Sequence, residues 1–246
     1  MKKILICTGG TGGHIFPAIS LAEYLEKKNF NVDFITDYRA KKFINNINLK
    51  KINFINVKTP TGKKGLGLIY SIFLIFISFL YSIFFLLLKK PQLIIGSGGY
   101  VSFPILLAAR LLKKKFVIYE TNSVVGRVNK FFLNSSTKIF TGYPLKNLNI
   151  SNDKVTFVGQ LIREQIYLAK VNNYFKKDDN FDFTLLIIGG SQGAEIFSKT
   201  LPQSLNKLFN LNKKIRIFHQ VGNKEQELKI DFSYKNNPNV TIFNFE

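Results

Sequence analysis

Gly9-Gly10-Thr11-Gly12-Gly13-His14 is the stretch that decides the fold, and it lies between the apolar run Ile4 to Thr8 and a segment of helical periodicity that begins near Ile15. Glycine lets a backbone approach a ligand closely, and the free N–H groups and dipole of the next helix favour negative charge. Three turns of this kind indicate a phosphorylated ligand. The other two are Ile94-Ile95-Gly96-Ser97-Gly98-Gly99-Tyr100 and Ile187-Ile188-Gly189-Gly190-Ser191-Gln192-Gly193-Ala194.

Each glycine turn also has a purely structural explanation, because a doubly wound fold needs tight connections from strand to helix. The named nucleotide motifs do not fit. The first stretch is not G-x-G-x-x-G followed by a suitable acid, and the chain contains no G-x-x-x-x-G-K-[ST]. The pattern therefore argues against a dinucleotide-binding or P-loop protein.

The composition is that of a globular protein with a strong positive charge. With 246 residues, 46% of them hydrophobic, the chain is long enough for one large α/β domain or two smaller ones. The single cysteine, Cys7, lies in the first apolar run, which excludes an internal disulfide and a cysteine-based zinc site. That run is too short for a signal peptide, so we expect a cytoplasmic first domain. The net charge of +20 suits nucleic acid, an anionic membrane surface or a phosphorylated substrate.

Strand-like apolar runs alternate with helix-length segments along the chain. After the first turn, apolar residues recur at helical spacing from Ile15 to Leu25, with Pro17 tolerated in the opening turn. Because this alternation is typical of parallel sheets with right-handed crossovers, we expect an α/β fold. After the first run, the expected strands are Val32 to Ile35, Ile52 to Val57, Leu93 to Ile95, Phe116 to Tyr119, Lys138 to Phe140, Val155 to Val158, Phe183 to Ile188, Ile215 to His219 and Val240 to Phe243.

A polar segment without periodicity, Tyr143 to Lys154, is typical of a linker or a long loop. We expect a domain boundary near it, and we assign residues 1–163 to a first domain and 164–246 to a second. The second domain ends in a strand-like run after three or four strands, whereas the first has six or seven. We therefore expect the second domain to be incomplete.

The stretch Gly65 to Leu88 has no charged residue and is bracketed by Lys63-Lys64 and Lys89-Lys90, which makes it long enough to cross a bilayer by the usual ~20-residue criterion. The strands on either side belong to one expected parallel sheet and must lie on one side of any membrane, which argues against a span. Two interpretations remain: a helix buried within the protein or against a partner helix, or a helix whose outer face lies in the lipid interface. We favour the second, because an outward apolar face of this size is too large for a soluble monomer and the chain is basic.

Several separated motifs stand in the order and spacing of one known family. They are Gly9 to Ala18, Gly98-Gly99-Tyr100-Val101-Ser102, Glu120 with Asn122, Gly189 to Ala194, and His219-Gln220. The chain resembles, from Met1 to Glu246, the MurG family of bacterial N-acetylglucosaminyltransferases. The resemblance implies a GT-B architecture of two Rossmann-like domains, with the lipid-linked acceptor and the membrane on the first and the sugar nucleotide mostly on the second. It implies no metal ion and no other cofactor.

The implied reaction transfers N-acetylglucosamine from UDP-N-acetylglucosamine to the 4-hydroxyl of the muramyl sugar of lipid I, with inversion, to give lipid II for peptidoglycan synthesis. The implied location is the cytoplasmic side of the inner membrane, as a peripheral protein that contacts anionic lipid through Gly65 to Leu88 and the flanking lysines. We do not expect a nucleic-acid partner, because the basic residues are scattered instead of forming a stripe with interleaved aromatics. A diacylglycerol glycosyltransferase and an inactive, truncated remnant that binds membrane or phosphate are the alternatives.

The resemblance also assigns roles to single residues. His14 matches a candidate general base, and an imidazole, with an ordinary pKa near 6.5, is held in its neutral, proton-accepting form by a helix N-terminus. Glu120 matches a family acid at the end of a strand, and we assign it with His14 as catalytic, although both residues have structural explanations as well. The expected contacts to UDP-N-acetylglucosamine are Thr11, Gly12, Gly13, Asn122, Arg163 and Ser191.

The chain departs from the family pattern at two places. Tyr119-Glu120-Thr121-Asn122 stands where the family usually has His-Glu-Gln-Asn, and Gln160-Leu161-Ile162-Arg163 stands where it has Asn-Pro-Val-Arg. We expect loss of the proline to loosen the segment that joins the domains. The family residues that read uridine lie beyond Glu246 and are not assigned.

Overall fold

The computed structural model describes residues 2–9, 12–44, 49–145, 151–171, 180–190, 193–209 and 214–244. The chain forms two compact units, Met1–Val171 and Asn172–Glu246. Each unit has a parallel sheet with helices in its connections. The expected α/β class with two parallel-sheet domains is therefore confirmed.

Parallel strands form the sheet of the first unit, and its order reverses once. In chain order they are β1 (Lys3–Cys7), β2 (Asn31–Thr36), β3 (Ile52–Phe54), β4 (Leu93–Gly96), β5 (Phe116–Glu120), β6 (Ile139–Thr141) and β7 (Val155–Phe157). Among the described residues the sheet order is β3-β2-β1-β4-β5-β6-β7. The chain therefore builds outward from β1 on one side and from β4 on the other.

Helices cover this sheet and enclose its core. They are α1 (Gly12–Lys27), α2 (Lys41–Ile44), α3 (Gly65–Lys89), α4 (Ser102–Leu111), α5 (Arg127–Phe132) and α6 (Glu164–Val171). All five residues of β5 are buried, as are Leu5, Ile6 and Cys7 of β1. Continuous apolar strands are typical of a parallel sheet that is covered on both faces. Cys7 is a buried free thiol, which confirms its interpretation as a small core residue.

Helix α1 begins earlier than its apolar periodicity indicates. It starts at Gly12, so Pro17 lies inside the helix and not in its opening turn. Proline has no N–H to donate to the carbonyl four residues earlier. Pro17 is nevertheless buried.

Helix α3 has the reverse of the usual distribution of side chains. Its buried residues are mainly small and polar, namely Ser71, Ser78 and Ser82, together with Phe85 and Leu86. It packs against α4, and Ser78 Oγ donates to the carbonyl of Asn56 at 3.2 Å. Large apolar side chains on the rest of the helix are exposed: Leu66, Ile69, Tyr70, Ile72, Phe73, Phe76, Ile77, Leu80, Tyr81, Phe84, Leu87 and Leu88.

The boundary between the units falls later than the linker-like composition indicates. Strand β7 pairs with β6, which places the segment Tyr143 to Lys154 inside the first unit. Helix α6 also belongs to the first unit, where Glu164 forms an ion pair with Lys27 of α1. The first unit thus extends to Val171, eight residues beyond the expected 163.

The second unit has a smaller parallel sheet. Its described strands are β8 (Phe183–Ile187), β9 (Ile215–Val221) and β10 (Val240–Asn244), in the order β10-β9-β8. The helices α7 (Glu195–Phe209), α8 (Lys224–Leu228) and α9 (Phe232–Lys235) lie in the connections. One face of the sheet packs into a core that includes Ile187, Leu205, Ile217 and Tyr234.

Candidate active site

The candidate site lies at the carboxyl ends of β1 and β4, where the strand order reverses. In open α/β sheets, ligands bind in the crevice at such a switch point. The first and second glycine turns follow these two strands directly. Ser97 N donates to the carbonyl of Cys7 at 2.9 Å, and Ser102 Oγ donates to the same oxygen at 3.0 Å, so the ends of the two strands are joined by hydrogen bonds.

The two glycine turns pack backbone against backbone. A Cβ on Gly99 would lie 2.5 Å from the carbonyl oxygen of Gly9, and a Cβ on Gly9 would clash with the side chain of Val101. Gly98 and Gly99 have φ angles of 85° and 77°, which glycine adopts without strain. The turns are therefore in contact because neither carries a side chain at these positions.

His14, on the first turn of α1, is half-buried and points toward the second glycine turn. Its Nδ1 forms a hydrogen bond of 3.2 Å with Thr121 Oγ1, and a Cβ on Gly98 would lie 3.0 Å from the ring. Burial lowers the pKa of His14 below 6.5, and this outweighs the opposing effects of the Glu120 charge and of a backbone hydrogen bond with Ser97. The direction agrees with the sequence expectation, but the main cause is burial. The imidazole is neutral at pH 7 and able to accept a proton.

Glu120 is fully buried at the end of β5, beneath the loop that follows. One carboxylate oxygen accepts from the backbone N–H and the side-chain amide of Asn122, at 3.0 and 3.1 Å. The other accepts from Gly126 N at 2.9 Å and from Asn129 Nδ2 at 2.8 Å. The carboxylate thus accepts four hydrogen bonds. This geometry favours the alternative in which Glu120 orders the loop and its charge acts on His14.

The residues expected to contact UDP-N-acetylglucosamine lie on several elements. Gly12 and Gly13 form the first residues of α1, and Asn122 is exposed on the loop above Glu120. The Arg163 guanidinium lies 4.4 Å from the ring centre of Phe16 on α1, so it is close to the same helix end as His14. Thr11 and Ser191 lie outside the described residues.

A cavity of about 450 Å³ opens beside His14. Thr61, Tyr100 and Arg127 form a polar cluster on its wall: the Thr61 and Tyr100 hydroxyls are hydrogen-bonded, and an Arg127 Nη donates to Thr61 Oγ1 at 3.1 Å. The bond with Thr61 lowers the pKa of Tyr100 below 10.0, although burial opposes it. Among the described residues that line the cavity, Arg127 carries the only full positive charge.

Sequence reasoning assigned no role to Thr61, Arg127 or Asn129, which lie outside the glycine motifs, Thr61 in a loop and the other two on α5. Asn129 Oδ1 is buried at the cavity wall and has no hydrogen-bond partner among the described residues. The available signal for Arg127 was its position directly after Gly126, at the start of the first helix after β5. The cavity therefore has a cation next to a neutral imidazole, and the unpartnered oxygen of Asn129 is buried behind its wall.

The third glycine turn, in the second unit, is held by the side chain of Gln220. Its carbonyl oxygen accepts from Gly189 N at 3.1 Å, and its amide nitrogen donates to the Gly190 carbonyl at 2.7 Å. A Cβ on Gly193 would clash with the backbone of Gly222, so this turn also requires glycine. The neighbouring His219 is buried and bonds through Nδ1 to the Tyr234 hydroxyl at 3.2 Å.

Comparison with known sequences identifies the family. The profile described as glycosyltransferase family 28 N-terminal domain matches residues 4–141, and that of the family 28 C-terminal domain matches residues 184–246. A protein of Rickettsia felis named UDP-N-acetylglucosamine--N-acetylmuramyl-(pentapeptide) pyrophosphoryl-undecaprenol N-acetylglucosamine transferase is 35% identical over 265 residues, which cover 100% of this chain and 69% of the relative. The chain belongs to the MurG family. A Pelagibacter ubique member of the same name is 37% identical, over 99% of this chain and 67% of its own.

Solved structures agree with this membership at the level of the fold. The crystal structure of Acinetobacter baumannii MurG has a TM-score of 0.68 at 23% identity, and the match covers 100% of this chain and 69% of that one. UDP-GlcNAc 2-epimerase from Neisseria meningitidis bound to UDP-GlcNAc has a TM-score of 0.66 at 13% identity, over 99% and 72%. The fold of this chain is thus shared by MurG and by a UDP-GlcNAc 2-epimerase.

Proposed function

We propose that the protein transfers N-acetylglucosamine from UDP-N-acetylglucosamine to the 4-hydroxyl of the muramyl sugar of lipid I, giving lipid II and UDP. Its family membership supports this activity, because curated relatives that are 35% and 37% identical carry the corresponding name. The observation that carries the mechanism is the neutral imidazole of His14 beside a cavity of about 450 Å³ at the switch point.

In this mechanism the acceptor sugar lies in the cavity and the His14 imidazole takes the proton of its 4-hydroxyl. The oxygen attacks the anomeric carbon from the face opposite to UDP, a new C–O bond forms, and the bond to the UDP oxygen breaks with inversion. General-base assistance of this kind typically contributes about 10²–10⁴-fold. Glu120 keeps Asn129 and Asn122 in place beside the cavity through hydrogen bonds from their side-chain amides.

The pyrophosphate groups of the substrates suit the glycine turns and nearby cations. Backbone N–H groups at helix N-termini bind phosphate, and a guanidinium offers several donors for it. We assign Gly12, Gly13, Asn122 and Arg163 on the first unit to UDP-N-acetylglucosamine, with Thr11 and Ser191 as further contacts predicted from the sequence. Arg127 is assigned to the acceptor, since it lines the same cavity as His14.

Helix α3 is proposed to lie in one leaflet of an anionic membrane at the cytoplasmic face of the inner membrane. It is long and apolar enough to span a bilayer by length and composition. However, β3 and β4 on either side of it belong to one sheet, so both its ends stay on one side. Its exposed Phe, Ile, Leu and Tyr side chains and the lysines at its ends suit a lipid interface. This location is consistent with a role in peptidoglycan synthesis during growth and division.

The catalytic proposal is tested by the transfer of labelled N-acetylglucosamine to lipid I, with diacylglycerol as a competing acceptor. His14→Ala is expected to lower kcat by roughly 10²-fold or more and to leave binding of UDP-N-acetylglucosamine unchanged. His219→Ala serves as the control histidine in the other unit. A near-normal kcat in His14→Ala would reduce His14 to a structural role, and preferred transfer to diacylglycerol would identify the alternative enzyme.

The membrane proposal is tested by sedimentation with vesicles that contain anionic lipid. Phe76→Asp and Phe84→Asp, at exposed positions of α3, are expected to abolish most binding, since each forfeits roughly 2 kcal/mol of buried apolar surface. Tyr24→Asp, at an equally exposed aromatic residue of α1, is the matched control. High salt and alkaline carbonate should release the unmodified protein, and resistance to both would indicate a true span.

A further inference from the structure

The segment from Gly159 to Arg163 is tied to the carboxyl end of β5. The Tyr119 hydroxyl donates to the carbonyl of Gly159 at 3.1 Å and accepts from Leu161 N at 3.1 Å. Tyr119 itself is buried. A single side chain on β5 thus holds two points of a segment that lies about forty residues later in the chain.

Gln160, between these two points, connects the segment to His14. Its Nε2 donates to the backbone carbonyl of Thr121 at 2.6 Å. The side-chain hydroxyl of Thr121 forms the hydrogen bond with His14 Nδ1. Gly142 leaves space for this arrangement, because a Cβ there would collide with the Gln160 amide. Gln160 therefore holds the backbone of Thr121 in place, and this backbone carries the hydroxyl that bonds to the imidazole.

The same segment ends at a second site residue. Arg163 stacks over Phe16, two residues after His14 on α1, and Glu164 pairs with Lys27 at the other end of that helix. Leu161 stands where the family usually has proline, and the expected loosening of the segment that joins the domains stays a prediction. The backbone N–H of Leu161, which a proline lacks, supplies one of the hydrogen bonds to Tyr119.

We propose that Gln160 is a positioning residue for His14, acting through Thr121, and that Tyr119 locks the segment that carries both Gln160 and Arg163. The groups that face the imidazole are then set from three directions. Thr121 bonds to Nδ1, the Glu120 charge acts on the ring, and Gly98 of the second glycine turn lies against it, while the cavity opens beside it. The catalytic consequence of this placement rests on the proposed role of His14, whereas the placement itself does not.

The test uses the full chain and the two histidines that it contains. Imidazole C–H signals in an NMR titration report His14 directly, with His219 in the second unit as an internal reference. Gln160→Met keeps the length of the side chain but removes its donor, and Thr121→Val removes the hydroxyl. Gln165→Met, at an exposed glutamine of α6, is the matched control.

In Gln160→Met the titration midpoint of His14 should rise toward 6.5, because a loosened Thr121 admits water to a ring whose pKa is lowered mainly by burial. The His219 midpoint should not change. Tyr119→Phe should act in the same direction. In a Thr121→Val background, Gln160→Met should have no further effect, since the two residues act in series.

Transfer kinetics provide the second readout. Gln160→Met is expected to lower kcat by roughly 10- to 100-fold with little change in KM for the sugar nucleotide, as for a misplaced catalytic group. The inference would be overturned if Gln160→Met left the titration midpoint of His14 unchanged. It would also be overturned if the effects of Gln160→Met and Thr121→Val on this midpoint were additive in the double variant. If His14→Ala keeps its activity while Gln160→Met still moves the His14 signal, the positioning stands and the proposed base does not.

Discussion

Replacing Gly99 by alanine tests whether the first two glycine turns depend on direct backbone contact. Gly99 has a φ of 77°, and its new Cβ would lie 2.5 Å from the carbonyl oxygen of Gly9 and 2.8 Å from the carbonyl carbon. The left-handed conformation costs an alanine about 1–2 kcal/mol. Relief of the clash needs movement of one turn, and overpacking of this kind costs about 1–3 kcal/mol more. Gly62 also has a φ of 77° but nothing within 4 Å of its Cβ, so Gly62→Ala measures the conformational cost alone.

Thermal and urea unfolding of the two variants should therefore differ. Gly99→Ala is expected to lose about 1–3 kcal/mol more than Gly62→Ala, which corresponds to a Tm roughly 2–12 °C lower for a chain of this size. Circular dichroism of the full chain gives the transition, and the His14 imidazole signal reports whether the neighbouring turn has moved. Equal losses in the two variants would refute the reasoning, because the contact between Gly9 and Gly99 would then contribute nothing.

Three further variants or conditions test other parts of the site. In Glu120→Gln, the new side-chain NH₂ group faces N–H donors that bond to a carboxylate oxygen in the unmodified protein. Urea unfolding should therefore show a free energy of unfolding lower by roughly 2–4 kcal/mol. Near-wild-type stability would contradict the arrangement of four hydrogen bonds on Glu120. Burial lowers the pKa of His14 and of His219, so the unfolded chain binds more protons near pH 6 and the free energy of unfolding should fall as the pH drops from 7 to 5. A free energy of unfolding that does not change between pH 7 and 5 would contradict this prediction. So would a pH dependence whose slope is the same in His219→Asn as in the unmodified protein. Gln220→Met leaves the N–H of Gly189 unpaired, so the free energy of unfolding should fall by roughly 1–3 kcal/mol. Calorimetry should also show weaker binding of UDP. Unchanged binding would show that the third glycine turn does not contact the sugar nucleotide.

Local patterns in the sequence were sufficient for the elements of the fold. The apolar runs predicted the strands to within a few residues, because strands covered on both faces must be apolar throughout. The glycine turns were found for a similar reason, since each needs small residues in a fixed order. The boundary after 163 and the opening-turn placement of Pro17 differ from the structure, because helix ends depend on contacts that composition does not encode. Glu164 belongs with the first unit through its ion pair with Lys27, 137 residues away.

The interior of the site was predictable only in part. His14 and Glu120 were found because they lie beside glycine turns or strand ends, and their catalytic roles stay predictions. The four donors on Glu120 and the cluster of Thr61, Tyr100 and Arg127 depend on loops that meet only in the folded chain. Gln160 was noted as a departure from the family pattern, but its contact with Thr121 joins residues 39 positions apart.

The reversed helix α3 makes it possible to redesign a large apolar surface of the protein without changing its core. Its outward side chains are exposed. Its attachment to the fold uses Ser71, Ser78, Ser82, Phe85 and Leu86, together with the partly buried Ile75, Phe79 and Ile83. Polar helix formers such as Glu, Gln and Lys can therefore replace the outward set without opening a cavity in the core. Such a redesign would separate what the fold requires of α3 from what the proposed membrane contact requires of it.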